Sequence, residues 1–221
     1  MTKAEVQRRI LEVGIVPVVR AASPQQAILA AEAVADGGIP IVEITMTVPG
    51  AVEVIRELTR SLGKQVLVGA GTVLDAAAAA RCLEAGAEFL VSPGFDLEMV
   101  QAALTYQKLV MPGALTPTEV IKVHQAGADF VKIFPCGNVG GPSYIKALKA
   151  ALPQIPMIPT GGVNLTTAAE FLRAGASALG IGSELISRSE LEAGNGSAIS
   201  EIARRYVRIV DEVRNSSRAV A

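Results

Sequence analysis

One lysine stands inside an apolar run that otherwise has the composition of a buried strand. The run is GADFVKIFP, and its lysine, Lys132, lies between Val131 and Ile133. Removing an ammonium group from water costs several kcal/mol unless a nearby group compensates. The nearest acid along the chain is Asp129, three residues earlier. Lys132 is therefore expected either to pair with an acid from another segment or to take part in chemistry.

An internal repeat identifies the acid that is predicted to face this lysine. Four segments share a pattern of small residues followed by an apolar run: DGGIPIVEI, EAGAEFLVS, QAGADFVKI and RAGASALGI. Their shared glycines are 41 or 48 residues apart. This is about twice the length of one strand-plus-helix unit in a β/α barrel of about 250 residues, so we predict that the segments are its even-numbered strands. The shared glycines are Gly38, Gly86, Gly127 and Gly175.

Equivalent positions in the four segments carry very different side chains. Five residues after each shared glycine come Glu43, Val91, Lys132 and Gly180. Side chains from alternate strands of a barrel share one layer of its interior, so Glu43 and Lys132 are predicted to face each other. The valine and the glycine leave room between them for a small molecule. Two residues further on, and on the same strand face, the predicted rim consists of Thr45, Pro93, Phe134 and Gly182.

A desolvated lysine facing a glutamate is suited to carbon–carbon bond chemistry. An uncharged amine attacks a ketone to form a Schiff base, whose iminium then draws electrons from the adjacent carbon. Breaking or making the next bond needs a group that moves protons, which a positioned glutamate does. Because a close carboxylate would hold the proton on an amine, we expect Glu43 to act across a water or the substrate. A purely structural ion pair between Glu43 and Lys132 stays an open alternative.

The rest of the chain alternates between strand-like and helix-like patterns. Apolar runs bounded by glycine or proline are typical of buried parallel strands, and the further runs are Ile15–Arg20, Gln65–Gly71, Lys108–Gly113 and Ile155–Gly162. The helical patterns between them include Pro24–Asp36, Val52–Leu62, Asp75–Ala85 and Thr166–Ala174. We therefore predict a single α/β domain over residues 1–221, a (β/α)8 TIM barrel with an N-terminal helix. Its core spans about 14–186, and a C-terminal helix covers about 198–214.

Glycine-rich segments follow the last two predicted strands. PTGGVN contains Gly161 and Gly162, and GIGSELI contains Gly182. In α/β barrels the loops at these positions commonly hold a phosphate through backbone N–H groups. Tight turns alone are the alternative reason for the glycines. Two further candidates for binding a substrate anion are Thr72 in GAGTV and Arg20 at the end of the first strand, although an exposed strand-end arginine needs no ligand.

Composition excludes several classes of function. The formal net charge is −1, so no basic surface for nucleic acid is expected. The longest stretch without a charged residue, 150–169, contains three prolines and a glycine pair and cannot form a membrane-spanning helix. The N-terminal sequence MTKAEVQRRILEVG lacks the apolar segment of a secretory signal, which favours the cytoplasm.

Residues that bind metals or form thiolates are few. His124 is the only histidine, whereas metal-dependent barrel enzymes gather several histidine and carboxylate ligands. We therefore expect neither a metal nor another cofactor. Cys82 and Cys136 are too few for a disulfide framework, and the absence of a nearby histidine disfavours a thiolate mechanism at Cys136.

Taken together, the motifs resemble those of the bacterial 2-keto-3-deoxy-6-phosphogluconate (KDPG) aldolases. The similarity runs from about Gly14 to Ile186 and includes VEIT, GAGTVL, VSPG, MPG, KIFP, GGPSYIKAL, PTGGV and GIGSEL. It implies a metal-free homotrimeric barrel that binds pyruvate to Lys132 as a Schiff base, with Glu43 as general acid and base. Pyruvate and glyceraldehyde 3-phosphate would be the cleavage products. The implied pocket residues are Thr72, Pro93, Phe134 and Thr160, and the implied phosphate-binding residues are Gly161, Gly162, Gly182 and Ser183.

The chain departs from the family pattern at one position near the glutamate. Many members carry an arginine four residues after it, whereas this chain has Thr47 in EITMTVPG. Recognition of the substrate's carboxylate then falls to Arg20 and Thr72. Aldolases for the galactonate epimer, which also lack this arginine, and for 4-hydroxy-2-oxoglutarate are alternatives. A metal-dependent sugar-phosphate isomerase or epimerase and a non-catalytic assembly scaffold are alternatives of other classes.

Overall fold

A computed structural model of the chain describes residues 1–218, which alternate between helices and parallel strands. The strands are β1 (Ile15–Val19), β2 (Ile41–Thr45), β3 (Leu67–Gly71), β4 (Phe89–Val91), β5 (Leu109–Met111), β6 (Gly113–Ala114), β7 (Val131–Ile133), β8 (Met157–Pro159) and β9 (Leu179–Ile181). The helices are α1 (Lys3–Val13), α2 (Pro24–Asp36), α3 (Ala51–Leu62), α4 (Ala76–Glu84), α5 (Leu97–Thr105), α6 (Pro117–Gln125), α7 (Pro142–Ala151), α8 (Ala168–Arg173), α9 (Arg188–Glu192) and α10 (Gly196–Arg218). A short 3-10 helix covers Cys136–Val139.

The strands form two parallel sheets whose edges lie close to each other. The larger sheet has the order β5-β4-β3-β2-β1-β9 and the smaller one β6-β7-β8, which confirms the predicted α/β class with parallel strands. Pro112 alone separates β5 from β6, because proline has no N–H to donate to a strand ladder. The predicted fifth strand is therefore divided in two. At the other edge, Thr160 and Gly180 form an isolated parallel bridge beside β8 and β9.

Side-chain caps fix where several helices begin. Ser23 Oγ accepts a hydrogen bond of 3.3 Å from a backbone N–H in the first turn of α2, and Asp75 Oδ1 accepts one of 2.7 Å in α4. Such caps satisfy N–H groups that have no partner within the helix. Pro24 takes the first position of α2, where its missing N–H has no cost. The bounds of α2 are as predicted. Both ends of α3, α4 and α8 lie within two residues of the predicted positions, whereas α10 extends beyond its predicted range.

Two apolar clusters lie on the two faces of the strands. The larger cluster fills the space between the strands and the outer helices. The smaller one includes side chains from the beginnings of several strands, such as Ile41, Leu67 and Phe89, and α1 adds Val6 and Ile10 to it. Apolar packing thus closes the N-terminal ends of the strands, so that the polar residues of this face lie toward the C-terminal ends. None of the helices in residues 1–218 is long and apolar enough to cross a membrane.

Candidate active site

Strands β2 and β7 bring one acid and one base together. Glu43 is the middle residue of β2, and Lys132 is the middle residue of β7. Lys132 Nζ lies 3.9 Å from Glu43 Oε1, and the two side chains are 6% and 2% exposed. Because side chains alternate along a strand, the pair shares its face with Ile41 and Phe130 of the smaller apolar cluster. The structure therefore holds two ionisable groups next to each other above a water-excluding layer.

Burial changes the protonation of Glu43. It raises the pKa of Glu43 above the ordinary value of 4.5, against the smaller opposing effects of Lys132 and Arg20. Among the described residues, Glu43 Oε1 has no hydrogen-bond partner. The carboxyl group thus keeps its proton to a higher pH than an exposed glutamate does, and one of its oxygens is left for a ligand. Both properties suit a general acid and base.

An aromatic ring and a guanidinium group border the pair. The centroid of the Phe134 ring lies 5.5 Å from Lys132 Nζ, so an apolar surface covers one side of the amine. Arg20 follows β1 directly and is close enough to lower the pKa of Glu43. Its Nη1 also lies over Gly182, since a methyl group at that position would be 3.0 Å away from it. Arg20 therefore links the buried pair to the glycine segment after β9.

A cleft of about 340 Å³ opens at the carboxyl ends of β1 and β9. Its lining includes Arg20, Thr47, Ser183 and Arg188 but neither member of the buried pair, so the cleft adjoins the pair without containing it. The Arg20 guanidinium and the two hydroxyl groups suit an anion, whereas the Arg188 guanidinium is already paired with Glu192 at 2.6 Å. Sequence reasoning missed Arg188, because nothing in its own segment, SRSELE, distinguishes it from a solvated surface residue.

Three other predicted pocket residues also lie at strand ends. Thr72 follows β3 with φ of 56°, in the left-handed region that β-branched residues rarely adopt. Such backbone strain is concentrated at functional sites. Pro93 is half-buried after β4, and Thr160 is 5% exposed after β8. A methyl group at Gly180 would lie only 2.1 Å from Thr160 Oγ1, so this glycine makes room for the threonine.

The segments after β7 and β8 touch through glycine backbones. Gly161 and Gly162 have φ of 85° and 79°, which favour glycine over every other residue. A methyl group at Gly162 would also lie 2.6 Å from the Cα of Gly137. The N–H of Gly137 donates a 2.9 Å hydrogen bond to the carbonyl of Gly161. The close approach of the two loops therefore requires glycine at these positions. These glycines also leave backbone without side chains where the phosphate is predicted to bind.

The cysteines and the histidine are not arranged for catalysis. Burial raises the pKa of Cys136 to about 12 and that of Cys82 to about 11, so both are protonated thiols at neutral pH. His124 is exposed on α6. Within residues 1–218, no group of three or more histidine, cysteine or acidic side chains is placed to hold a metal ion.

Comparison with known proteins identifies the family to which this site belongs. The family model described as KDPG and KHG aldolase matches residues 6–202. The chain belongs to this aldolase family. The resemblance expected from the motifs is thereby confirmed, and by class the chain is a carbon–carbon lyase.

Individual relatives and solved structures match most of the chain. The 2-dehydro-3-deoxy-6-phosphogalactonate aldolase of Escherichia coli K12 is 36% identical over 172 residues, which cover 77% of this chain and 83% of the relative. A KDPG aldolase from Legionella pneumophila, captured with pyruvate as a covalent carbinolamine, has a TM-score of 0.83 at 28% identity and covers 90% of this chain and 96% of that one. The match to a cube-shaped cage designed by fusing symmetric oligomeric domains has a TM-score of 0.85 at 31% identity. It covers 94% of this chain and 76% of that one.

Proposed function

We propose that the chain is a class I aldolase that reversibly cleaves KDPG to pyruvate and glyceraldehyde 3-phosphate without a cofactor. The observation that carries the proposal is the buried contact of Lys132 Nζ with Glu43 Oε1 at 3.9 Å. Lys132 is also the one lysine with a buried side chain among the described residues. The Legionella relative holds pyruvate as a covalent carbinolamine, the adduct that an amine forms with a ketone.

The chemistry follows from the amine and the carboxyl group. The amine of Lys132 attacks the C2 ketone of the keto acid, and loss of water from the carbinolamine leaves an iminium. The iminium accepts the electron pair of the C3–C4 bond as that bond breaks, while the C4 hydroxyl loses its proton and leaves as the aldehyde. The remaining enamine gains a proton at C3, and water then releases pyruvate and restores the amine. Glu43 accepts the hydroxyl proton and returns it to the enamine.

The remaining site residues are proposed to hold the two ends of the substrate. We assign the keto acid end to Arg20 and Thr72, which provide a guanidinium group after β1 and a hydroxyl after β3, on either side of the strand that carries Glu43. Pro93, Phe134 and Thr160 shape the pocket around the reacting carbons. The phosphate is assigned to the glycine segments after β8 and β9, because backbone without side chains lets an anion approach N–H groups closely. The phosphate-binding residues are Gly161, Gly162, Gly182 and Ser183.

The two sheets are proposed to be parts of one closed (β/α)8 barrel, which makes the chain a single domain. The one-residue break at Pro112 and the bridge between Thr160 and Gly180 support closure at the two places where the sheets meet. β5 and β6 then count as one strand of the eight. Closure explains why residues from β2 and β7, in different sheets, come within 4 Å of each other.

We also propose that the enzyme is a cytoplasmic homotrimer. Large apolar side chains are exposed at Leu74, Phe95 and Leu97, to 59%, 40% and 47%, and a contact between subunits would cover them. The similarity to a cage designed from symmetric oligomeric domains supports an oligomer. The expected result of sedimentation equilibrium is three times the chain mass, and a monomer mass contradicts this part of the proposal. The cytoplasmic location stays a prediction from the charged N-terminal sequence.

Two observations support the galactonate epimer as a second candidate substrate. Thr47 lines the cleft where many members have an arginine, and the Escherichia coli relative named for the galactonate substrate is 36% identical. Values of kcat/KM for the gluconate and galactonate epimers and for 4-hydroxy-2-oxoglutarate separate these possibilities. We expect the gluconate epimer to be cleaved fastest. Faster cleavage of either other compound would make that compound the proposed substrate.

The proposal as a whole is tested by Lys132→Met, which keeps the volume of the side chain but removes the amine. Pyruvate release from KDPG should be lost, while circular dichroism and oligomer mass stay as in the unmodified chain. A scaffold without catalysis would show no activity in either protein. Activity that survives Lys132→Met but is abolished by a chelator would instead support a metal-dependent enzyme.

A further inference from the structure

The space that the Glu43 side chain fills exists because residue 71 has no side chain. Gly71 is the last residue of β3, where it pairs with Thr45 on the strand that carries Glu43. A methyl group at Gly71 would lie 1.9 Å from Glu43 Oε1, 2.5 Å from Cδ and 2.6 Å from Cγ. Cβ atoms essentially never come within 3.0 Å of a heavy atom from a residue that is not adjacent in the chain. Any other residue at position 71 must therefore displace the Glu43 carboxyl group.

The backbone at this position does not itself demand glycine. Gly71 lies outside the set of described residues with positive φ, so alanine could adopt its conformation without strain. Its carbonyl accepts a 2.7 Å hydrogen bond from the N–H of Met46, which any residue at position 71 would also accept. What glycine alone provides at this place is room for a neighbouring side chain.

The Glu43 carboxyl group has little else to hold it in place. Within the described part of the chain, Oε1 accepts no hydrogen bond, and the nearest cation, Lys132 Nζ, is 3.9 Å away. Packing must therefore set the direction of the side chain. We infer that Gly71 is a positioning residue for the proton-transfer step. Because residue 71 has no side chain, the Glu43 side chain has space to extend along the strands toward Lys132. This inference rests on the proposed aldolase function.

The test is a double-mutant cycle on kcat for KDPG cleavage, built from Gly71→Ala and Glu43→Ala. Each single variant should lower kcat by about a hundredfold or more, the usual effect of losing acid–base catalysis. If Gly71 acts only through Glu43, the double variant is no slower than Glu43→Ala alone. Both single variants should still trap pyruvate on Lys132 with borohydride. An unchanged kcat for Gly71→Ala, or losses that multiply in the double variant, would overturn the inference.

Gly69→Ala is the matched control for damage to the strand. Gly69 lies two residues earlier on the same face of β3 and pairs with Glu43, but the three heavy atoms nearest to a methyl group there all belong to the Phe89 ring, at 2.3 to 2.5 Å. The loss of thermal stability caused by Gly69→Ala should be the same whether or not Glu43→Ala is also present. The loss caused by Gly71→Ala should instead shrink in the Glu43→Ala background, because the clashing atoms are gone.

Folding failure does not leave the inference untested. If Gly71→Ala alone does not fold, the double variant with Glu43→Ala should fold, and its failure to do so contradicts the inference. Assays of the unmodified chain distinguish a failure of this inference from a failure of the proposed function. If it neither cleaves KDPG nor traps pyruvate, the aldolase proposal fails; if it does both and Gly71→Ala is unaffected, only the role of Gly71 fails.

Discussion

Glu43 Oε1 and Lys132 Nζ are 3.9 Å apart, close enough for electrostatic attraction but too far apart for a hydrogen bond. A hydrogen-bonded salt bridge would occupy the carboxyl oxygen. The observed separation leaves that oxygen unpartnered among the described residues. In the proposed mechanism, this oxygen exchanges protons with the keto acid that is attached to the amine.

Glu43→Gln should separate adduct formation from turnover. The amide has the shape of the carboxyl group but cannot accept the C4 hydroxyl proton, so kcat for cleavage should fall by about a hundredfold or more. Trapping of pyruvate on Lys132 should persist, because the amine is unchanged. Steady-state kinetics and intact mass after borohydride measure the two effects. A variant with near-normal kcat would show that Glu43 is not the acid–base group.

Glu43 also predicts how stability depends on pH. Burial raises its pKa in the folded state above 4.5, so the folded protein binds this proton more tightly than the unfolded chain does. The contribution of Glu43 to stability is therefore full below pH 4.5 and is lost as pH rises through the folded value. Glu43→Gln removes this dependence, and its stability relative to the unmodified chain should increase over that pH window. Urea unfolding at several pH values measures the difference, and parallel curves would contradict the assignment.

Arg20→Ala should affect both substrate binding and the titration of Glu43. Losing a guanidinium contact to an anion should raise KM for KDPG by about tenfold or more. Because Arg20 lowers the pKa of Glu43, its removal should also shift the acidic limb of kcat/KM to higher pH. Arg56→Ala on α3 is the control, since that exposed arginine pairs only with Glu53, at 4.0 Å, within residues 1–218. Equal effects of both substitutions would show that Arg20 has no special role.

Neither cysteine should react in the folded protein. Cys136 and Cys82 are buried, and their pKa values are raised to about 12 and about 11. At pH 8 a disulfide reagent should therefore label no thiol in the folded protein and two after denaturation. Cys136→Ser should retain aldolase activity. Fast labelling of one thiol together with loss of activity would reopen a thiolate mechanism.

Local sequence signals were enough to predict the elements that have their own start and stop residues. α2 has the predicted bounds because Ser23 caps it and Pro24 occupies its first turn. The spacing of the repeat placed Glu43 and Lys132 in one layer, and the structure has them 3.9 Å apart. The second prediction depends on the periodicity that a buried parallel sheet imposes.

Features that depend on contacts between distant segments could not be predicted in this way. The division of the fifth strand depends on how Pro112 fits between two sheets, since its missing N–H matters only where a ladder would use it. The importance of Gly71 depends on the direction of a side chain from the neighbouring strand. Arg188 lines the cleft only because the segment after β9 folds beside the ends of β1 and β2.

The central claim is that Lys132 is the amine that binds the keto acid. Pyruvate and borohydride, followed by peptide mass spectrometry, test it most directly, and Lys149 provides an internal control. Burial lowers the pKa of Lys149, but its Nζ donates hydrogen bonds of 2.7 and 3.0 Å to the carbonyls of Pro153 and Ile155. We predict one reduced pyruvyl group per chain, confined to the peptide that contains Lys132. Labelling of another lysine, or of none, would contradict the account.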